Sequence, residues 1–277
     1  MTMGEFNFTD RDFDRVAKLV GEHSGIVLSS AKHQMVYSRL TRRLRALGLS
    51  DFSRYLKLVK DDVDGELVNF VNAMTTNLTA FFREAHHFDY LANTTLPRIM
   101  RDNANSRQIR IWSAGCSTGE EPYSIATVVR ETIPAGSGWD IKILATDLDS
   151  NVLSTAANGV YTSERVAGLS PQRLKRWFLK GKNDKDGMVR VKSELRDLIT
   201  FQQLNLMDSW PIKGPFDLIF CRNVVIYFNK ETQRTLMERY ANIMKPEANL
   251  FIGHSESLFK VSDRFKLIGN TIYQRTQ

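Results

Sequence analysis

From residue 108 onward, short apolar runs alternate with helical patterns, and this alternation limits the possible folds more than any other feature of the chain. QIRIWSAG (108–115) reads as a strand ending in glycine. EEPYSIATVVRETI (120–133) reads as a helix that tolerates Pro122 in its first turn. DIKILATD (140–147) is a second strand and SNVLSTAANG (150–159) a short helix. ITFQQLNL (199–206), PFDLIFCRN (215–223) and NLFIGHS (249–255) supply further strands, and ETQRTLMERYANIMK (231–245) a helix. FKLIGNTIYQR (265–275) closes the series as a hairpin turning at Gly269-Asn270. Such alternation predicts an α/β fold, a mostly parallel sheet covered by helices on both faces.

Two stretches depart from the pattern. Residues 1–90 carry apolar residues at helical spacing and predict a helical N-terminal domain ahead of a sheet domain at 91–277. Thr9 is placed to cap a helix bearing Phe13, Val16, Ala17 and Val20, with Gly25 as its stop. Val36, Tyr37, Leu40, Leu44 and Leu47 form a second stripe ending at Gly48, and Ser50 is placed to open a third helix with Phe52, Tyr55, Leu56 and Val59. The second stretch, about 162–197, starts a helix at Ser170-Pro171. It continues as KGKNDKDGMVRV (180–191), a hairpin with Gly181 and Gly187 flanking a charged turn, so a small β-lobe is expected to be inserted in the sheet domain.

Charge narrows the partners. Thirty-eight Lys and Arg against 31 Asp and Glu give a formal +7, which favours anionic partners such as nucleic acid, an acidic protein or a membrane surface. Eight of those cations fall between Lys32 and Lys60 against the single acid Asp51, and Lys32, Arg39, Arg42 and Arg43 lie along one edge of an apolar stripe. A solvated helix face and a docking face for an acidic partner both fit. No run approaches the ~18 apolar residues of a membrane span, and the opening MTMGEFNFTD lacks the regions of a secretory signal, so a cytoplasmic protein is expected. Cys116 and Cys221 are isolated, and neither a disulfide framework nor a metal site is expected.

The loop SAGCSTGEEPYS (113–124) then poses a chemical question. Glycines after a first strand let backbone approach a ligand, and a helix N-terminus there attracts anions. Glu120 and Glu121 put negative charge where a phosphate would sit, so a cationic ligand is expected instead. Asp147, at the end of the second strand, is suited to accept hydrogen bonds from ribose hydroxyls. A ribose and a cation without phosphate suggest S-adenosylmethionine.

TNLTAFFRE (76–84), WSAGCSTGEEPYS (112–124), ATDLD (145–149), Asn205-Leu206 and FCRNVVIYF (220–228) closely resemble the CheR family of chemotaxis receptor methyltransferases, over nearly the whole chain. The resemblance implies a Rossmann-like S-adenosylmethionine-dependent methyltransferase sheet with a helical N-terminal domain and an inserted antiparallel β-subdomain. It implies methyl-esterification of glutamate side chains on the cytoplasmic helices of chemoreceptors, leaving S-adenosylhomocysteine. Asn77, Thr79 and Arg83 would reach the cofactor from the domain junction, with Gly115 in the loop beneath it. Glu120, preferred over Glu121, would bind its methionyl end, Asp147 its ribose, and Asn205 with Leu206 its adenine side. Arg222 and Asn223, also assigned to the cofactor, and Tyr227 would line the remaining wall near the transferred methyl. Lys32, Arg39, Arg42 and Arg43 become a receptor-docking face. In some members of the family the inserted lobe also tethers a receptor's C-terminal peptide by strand addition. The charged turn here fits a plain structural hairpin equally.

The chemistry asks little of the protein. A glutamate side chain, with an ordinary pKa near ~4.3, is already ionised at neutral pH and needs no general base. Arg83 and Tyr227 are the catalytic candidates, able to receive a carboxylate in a dry pocket. Arg83 is also suited to the cofactor's own carboxylate, while His86 and His87 read as packing or surface residues. A nucleic-acid methyltransferase using the basic face is the alternative, although RNVVIYF (222–228) lacks the prolines of its usual motifs.

Overall fold

The computed structural model describes residues 5–276. The first four residues and Gln277, which the expected domain limits include, lie outside the described residues. Four helices open the chain: α1 (Asp10–Ser24), α2 (His33–Leu47), α3 (Phe52–Lys60) and α4 (Glu66–Met74). Thr9 caps α1 and forms a capping box with Asp12, while Gly25 and Gly48 end α1 and α2 in the left-handed conformation. Asp51, not Ser50, caps α3. Its carboxylate accepts from Arg54 N at 2.7 Å, and an anionic acceptor at a helix start is also favoured by the helix dipole. The apolar stripes converge on one core including Phe13, Val20, Leu40, Leu44, Tyr55 and Phe70. Each large side chain buried there contributes about 1.5–3 kcal/mol.

That core ends at Met74. After a linker, α5 (Ala85–Tyr90) and α6 (Leu96–Asp102) pack on the sheet, with Phe88 and Leu91 in its core rather than in the helical one. There follow β1 (Gln108–Ala114), α7 (Glu120–Thr132), β2 (Asp140–Asp147), α8 (Ser150–Asn158), β3 (Val160–Thr162), α9 (Pro171–Trp177), β4 (Phe178–Lys180), β5 (Met188–Val191) and α10 (Ser193–Arg196). The chain ends with β6 (Ile199–Gln203), β7 (Phe216–Cys221), α11 (Lys230–Ile243), β8 (Met244–Ile252), β9 (Phe265–Gly269) and β10 (Ile272–Arg275).

Seven strands form one sheet in the order β6-β2-β1-β7-β8-β10-β9. The first five run parallel, and the β9–β10 hairpin adds antiparallel to β8. Every residue of β7 is buried, as a central strand covered on both faces requires. The chain steps outward from β1 through β2 to β6, then returns to the other side of β1 at β7. The crevice beyond the carboxyl ends of β1 and β7 is therefore a topological switch point, where open α/β sheets bind ligands.

The expected lobe is present as a second sheet, β3-β5-β4, all antiparallel. Its Tyr161, Trp177, Phe178 and Val191 pack into the core of the main sheet, so the lobe is docked rather than dangling.

Candidate functional site

A cleft of about 990 Å³, counting its open mouth, lies at the switch point. The loop after β1 contributes Gly115, Ser117 and Glu121; β2 contributes Asp147; the turn after β6 contributes Leu204, Asn205 and Leu206. The segment after β7 brings Arg222, Asn223, Val224, Tyr227 and Phe228, and the roof is the linker 74–83 with Ser24 and Ile26 from the end of α1. Gly115 has φ 84°, and a Cβ there would collide with Val224, so glycine is what lets the β1 loop and the β7 segment meet.

The adjacent acids at the start of α7 have opposite fates. Successive helical residues point about 100° apart, so only one can face the cleft. The residue that lines the cleft is Glu121, whereas the sequence reading prefers Glu120. Glu121 accepts from Ser113 Oγ at 2.7 Å and lies 3.6 Å from Arg222 Nη1. Glu120 is wholly buried and turned toward the inserted lobe, where Arg165 Nη2 lies 2.5 Å from Oε1 and Thr118 Oγ1 donates to Oε2 at 2.6 Å. Tyr161 of β3 donates to the carbonyl of Thr118 at 2.7 Å, so Glu120 sits where the lobe is fastened to the glycine loop.

Asp147 lies in the wall with its oxygens shared between backbone donors, Ser117 N at 2.7 Å and Asp149 N at 3.0 Å. Burial pushes its pKa up, and those N–H groups only partly offset this. Burial likewise raises Glu121, against the lowering pull of Arg222 and Ser113. A wall holding two carboxylates that are short of positive partners fits a ligand carrying positive charge.

The other expected residues also reach the cleft, several with their side chains engaged. The Asn77 amide donates to Asp149 Oδ2 at 2.8 Å and to Thr75 Oγ1 at 3.0 Å, while its carbonyl accepts from Ser117 Oγ at 2.9 Å, locking the linker onto the β1 loop. Asn205 donates to the carbonyl of His23 at 2.7 Å and accepts from Met207 N at 3.0 Å. Thr79, Arg83 and Leu206 line the wall, and Arg83 donates to the carbonyl of Leu78 at 2.9 Å. Buried Arg222 donates to the carbonyl of Arg83, with Glu121 on one side and Glu84 Oε2 at 3.6 Å on the other. Tyr227 is half-buried, and its carbonyl accepts from Val27 N at 2.8 Å, which ties the helical domain to the β7 segment.

His87 lies outside the wall. It is fully buried, its Nε2 3.0 Å from both Asn270 O and Thr271 Oγ1, and burial lowers its pKa to about 4. Cys116 and Cys221 are buried free thiols whose pKa values burial pushes up, which makes them inert.

Of the four residues of the expected docking face, two are engaged inside the protein. Arg39 donates to the carbonyls of Ala73, Met74 and Thr75, the last at 2.6 Å, and so anchors the cleft's roof to α2. Arg43 forms a two-pronged pair with buried Glu66 at 2.9 and 2.5 Å. Both positions satisfy internal acceptors that sequence position does not reveal. Lys32, in the turn before α2, and Arg42 stand exposed.

A doubly wound sheet with a cleft at the switch point, a glycine loop carrying acids instead of cations, and an acid ending β2 defines an S-adenosylmethionine-dependent methyltransferase. Residues 77–274 match the family model "CheR methyltransferase, SAM binding domain", and residues 11–75 match "CheR methyltransferase, all-alpha domain". The chain belongs to the CheR methyltransferase family, and its cofactor is S-adenosylmethionine. It is 46% identical over 268 residues to the chemotaxis protein methyltransferase of Escherichia coli K12, covering 96% of this chain and 91% of that one. It is also 46% identical to chemotaxis protein methyltransferase 2 of Pseudomonas aeruginosa PAO1, covering 97% and 94%, and 38% identical to the chemotaxis protein methyltransferase of Borreliella burgdorferi, covering 91% and 90%. Among the described residues no helix is long and apolar enough to cross a membrane.

Proposed function

We propose that this protein is a cytoplasmic protein-glutamate O-methyltransferase that esterifies glutamate side chains on the acidic methylation helices of chemoreceptors. The observation that carries this reading is the make-up of the cleft wall: it offers Arg83 and Tyr227 toward an incoming group, while its two carboxylates, Glu121 and Asp147, are taken up by the cofactor in this reading and leave no base over for the acceptor. A nucleophile that needed deprotonation would want a general base there, whereas a carboxylate arrives ionised and needs only to be received and desolvated.

S-adenosylmethionine supplies, when bound, a methyl group already activated on a sulfonium. In this reading Glu121 holds its ammonium group and Asp147 its ribose hydroxyls, with Asn205 and Leu206 beside the adenine. Asn77 and Thr79 close the roof, and Gly115 leaves room for close backbone approach. Arg222 lies beside the Glu121 carboxylate and favours its ionised form despite burial. Arg83, half-buried at the junction, suits a carboxylate grip, and we assign it first to the cofactor's carboxylate. Asn223 lines the wall beside the transferred methyl, and Tyr227 borders the path of the acceptor. The residues thus bind, align and exclude water, which is the kind of assistance an in-line transfer to an ionised nucleophile requires.

Exposed Lys32 and Arg42 are the remaining candidates for steering an acidic helix toward the mouth. The free edges of the β3-β5-β4 sheet remain available to a receptor tail by strand addition. The test is transfer from a labelled donor to receptor cytoplasmic fragments and, in parallel, to RNA. Base-labile label on receptor glutamate is expected; label on RNA alone would overturn the reading.

A further inference from the structure

We propose that Glu256 is a positioning residue for methyl transfer, its buried carboxylate fixing the strand-end segment that carries Asn223 and Tyr227 into the cleft. Glu256 is 5% exposed and is not part of the cleft wall. Its Oε2 accepts from Asn223 N at 2.9 Å and from Gly253 N at 2.5 Å, and its Oε1 accepts from Ile226 N at 3.2 Å. One carboxylate therefore joins the end of β8 to two points of the segment after β7. Among the described residues no cation pairs with it within salt-bridge distance, and the backbone N–H groups it receives offset its burial only in part, so its pKa is raised. Charge-assisted bonds of this kind are roughly twice as strong as neutral ones.

The segment needs such a hold. Asn223 adopts φ 59°, a left-handed conformation uncommon for a side-chain-bearing residue. It also packs directly on Gly253, where a Cβ would collide with the Asn223 amide and come within 2.8 Å of its backbone nitrogen. From α11, Gln233 donates to the carbonyls of Val225 and Phe228, at 2.8 and 3.1 Å. Glu256 captures the segment's N–H groups and Gln233 its carbonyls. Tyr227 lies between these anchors, so its place in the cleft depends on residues that never touch a ligand.

The test is Glu256→Gln, which keeps the shape but turns an amide donor toward N–H donors. Amide hydrogen exchange is expected to speed about tenfold or more at Asn223 and Ile226, since a buried bond is lost. Unchanged protection would overturn the proposal whatever the acceptor proves to be. With receptor fragments, kcat is expected to fall about 10- to 100-fold while the KM for the donor changes little. In addition, Tyr227→Phe should cost less in the Glu256→Gln background than in wild type. Additive effects, or a kcat within twofold of wild type, would overturn it. Gly253→Ala, which pushes the same segment from below, should reproduce the split if Glu256→Gln does not fold. The kinetic arm rests on the receptor-glutamate reading and the exchange arm does not. A wild-type protein that labels no receptor fragment thus sinks only the acceptor, and the exchange result decides Glu256.

Discussion

The helical domain and the cleft wall both carry buried carboxylates, and they treat them in opposite ways. In the helical domain Glu66 receives Arg43 through two hydrogen bonds, Tyr55 through a third at 2.9 Å and Asn69 through a fourth at 3.1 Å. Burial alone would raise its pKa, but those partners outweigh it and hold the carboxyl below its ordinary range. In the cleft, Glu121 and Asp147 have fewer partners, and burial wins, raising both. A saturated carboxylate stabilises a fold, whereas an under-partnered one weakens it. The contrast sets Glu66 apart from the two cleft acids; direction of shift alone does not mark a ligand site, since Glu256, outside the wall, is raised by burial too.

The largest expected effect tests the architectural side. Arg43→Ala leaves Glu66 buried and unpaired and should cost about 3 kcal/mol of stability, the low end for breaking a buried pair because Arg43 is partly exposed. Chemical denaturation measures this, and affinity for S-adenosylhomocysteine should stay within twofold. Next comes the neighbouring pair of acids. Glu121→Gln should weaken S-adenosylhomocysteine by roughly 30-fold, about the value of one charge-assisted hydrogen bond. Glu120→Gln should act mainly on stability and on lobe docking. Equal losses of affinity would erase the distinction drawn between them.

Asp147→Asn should weaken the same ligand by about tenfold. Dependence on pH should also divide the two regions by sign. Glu66, with its folded pKa lowered, contributes stability above the ordinary carboxylate range and loses it as pH falls through the folded value. Glu121 and Asp147, raised in the folded protein, bind protons more readily folded than unfolded, so their destabilising contribution fades as pH falls through their folded values. Ligand affinity should fall over that same acidic interval, since the ionised forms bind the cation. Titrations of donor product at several pH values, beside melts of Arg43→Ala and Glu121→Gln, separate the two contributions. The smallest effect belongs to exposed Arg42. Arg42→Ala should change stability by no more than about 0.5 kcal/mol and slow receptor methylation a few-fold, only at low salt.

Much of this was legible because it is local. Thr9, Gly25 and Gly48 delimit helices by chemistry that acts within four residues, and the apolar runs of β1, β2 and β7 declare a covered parallel sheet. The charged hairpin of the lobe follows from its two glycines. The misreadings share a cause, which is that they turn on partners distant in the chain or on helical phase. Ser50 and Asp51 are both good caps, and only the three-dimensional start of α3 selects Asp51. Glu120 and Glu121 are one residue apart, and the angle at which α7 meets β1 decides which lines the cleft. Arg39 and Arg43 read as exposed until the carbonyls of 73–75 and the carboxylate of Glu66 are brought beside them. Glu256 gave no signal, since its role exists only once β8 lies beside β7.

The central claim is that the cleft at the switch point seats a positively charged nucleoside without phosphates, held by Glu121 and Asp147. A calorimetric competition between S-adenosylhomocysteine and NADH measures it most directly. S-adenosylhomocysteine is expected to bind the wild-type protein, to bind more weakly to Glu121→Gln, and to be undisturbed by NADH. Binding of NADH that S-adenosylhomocysteine cannot displace would contradict it.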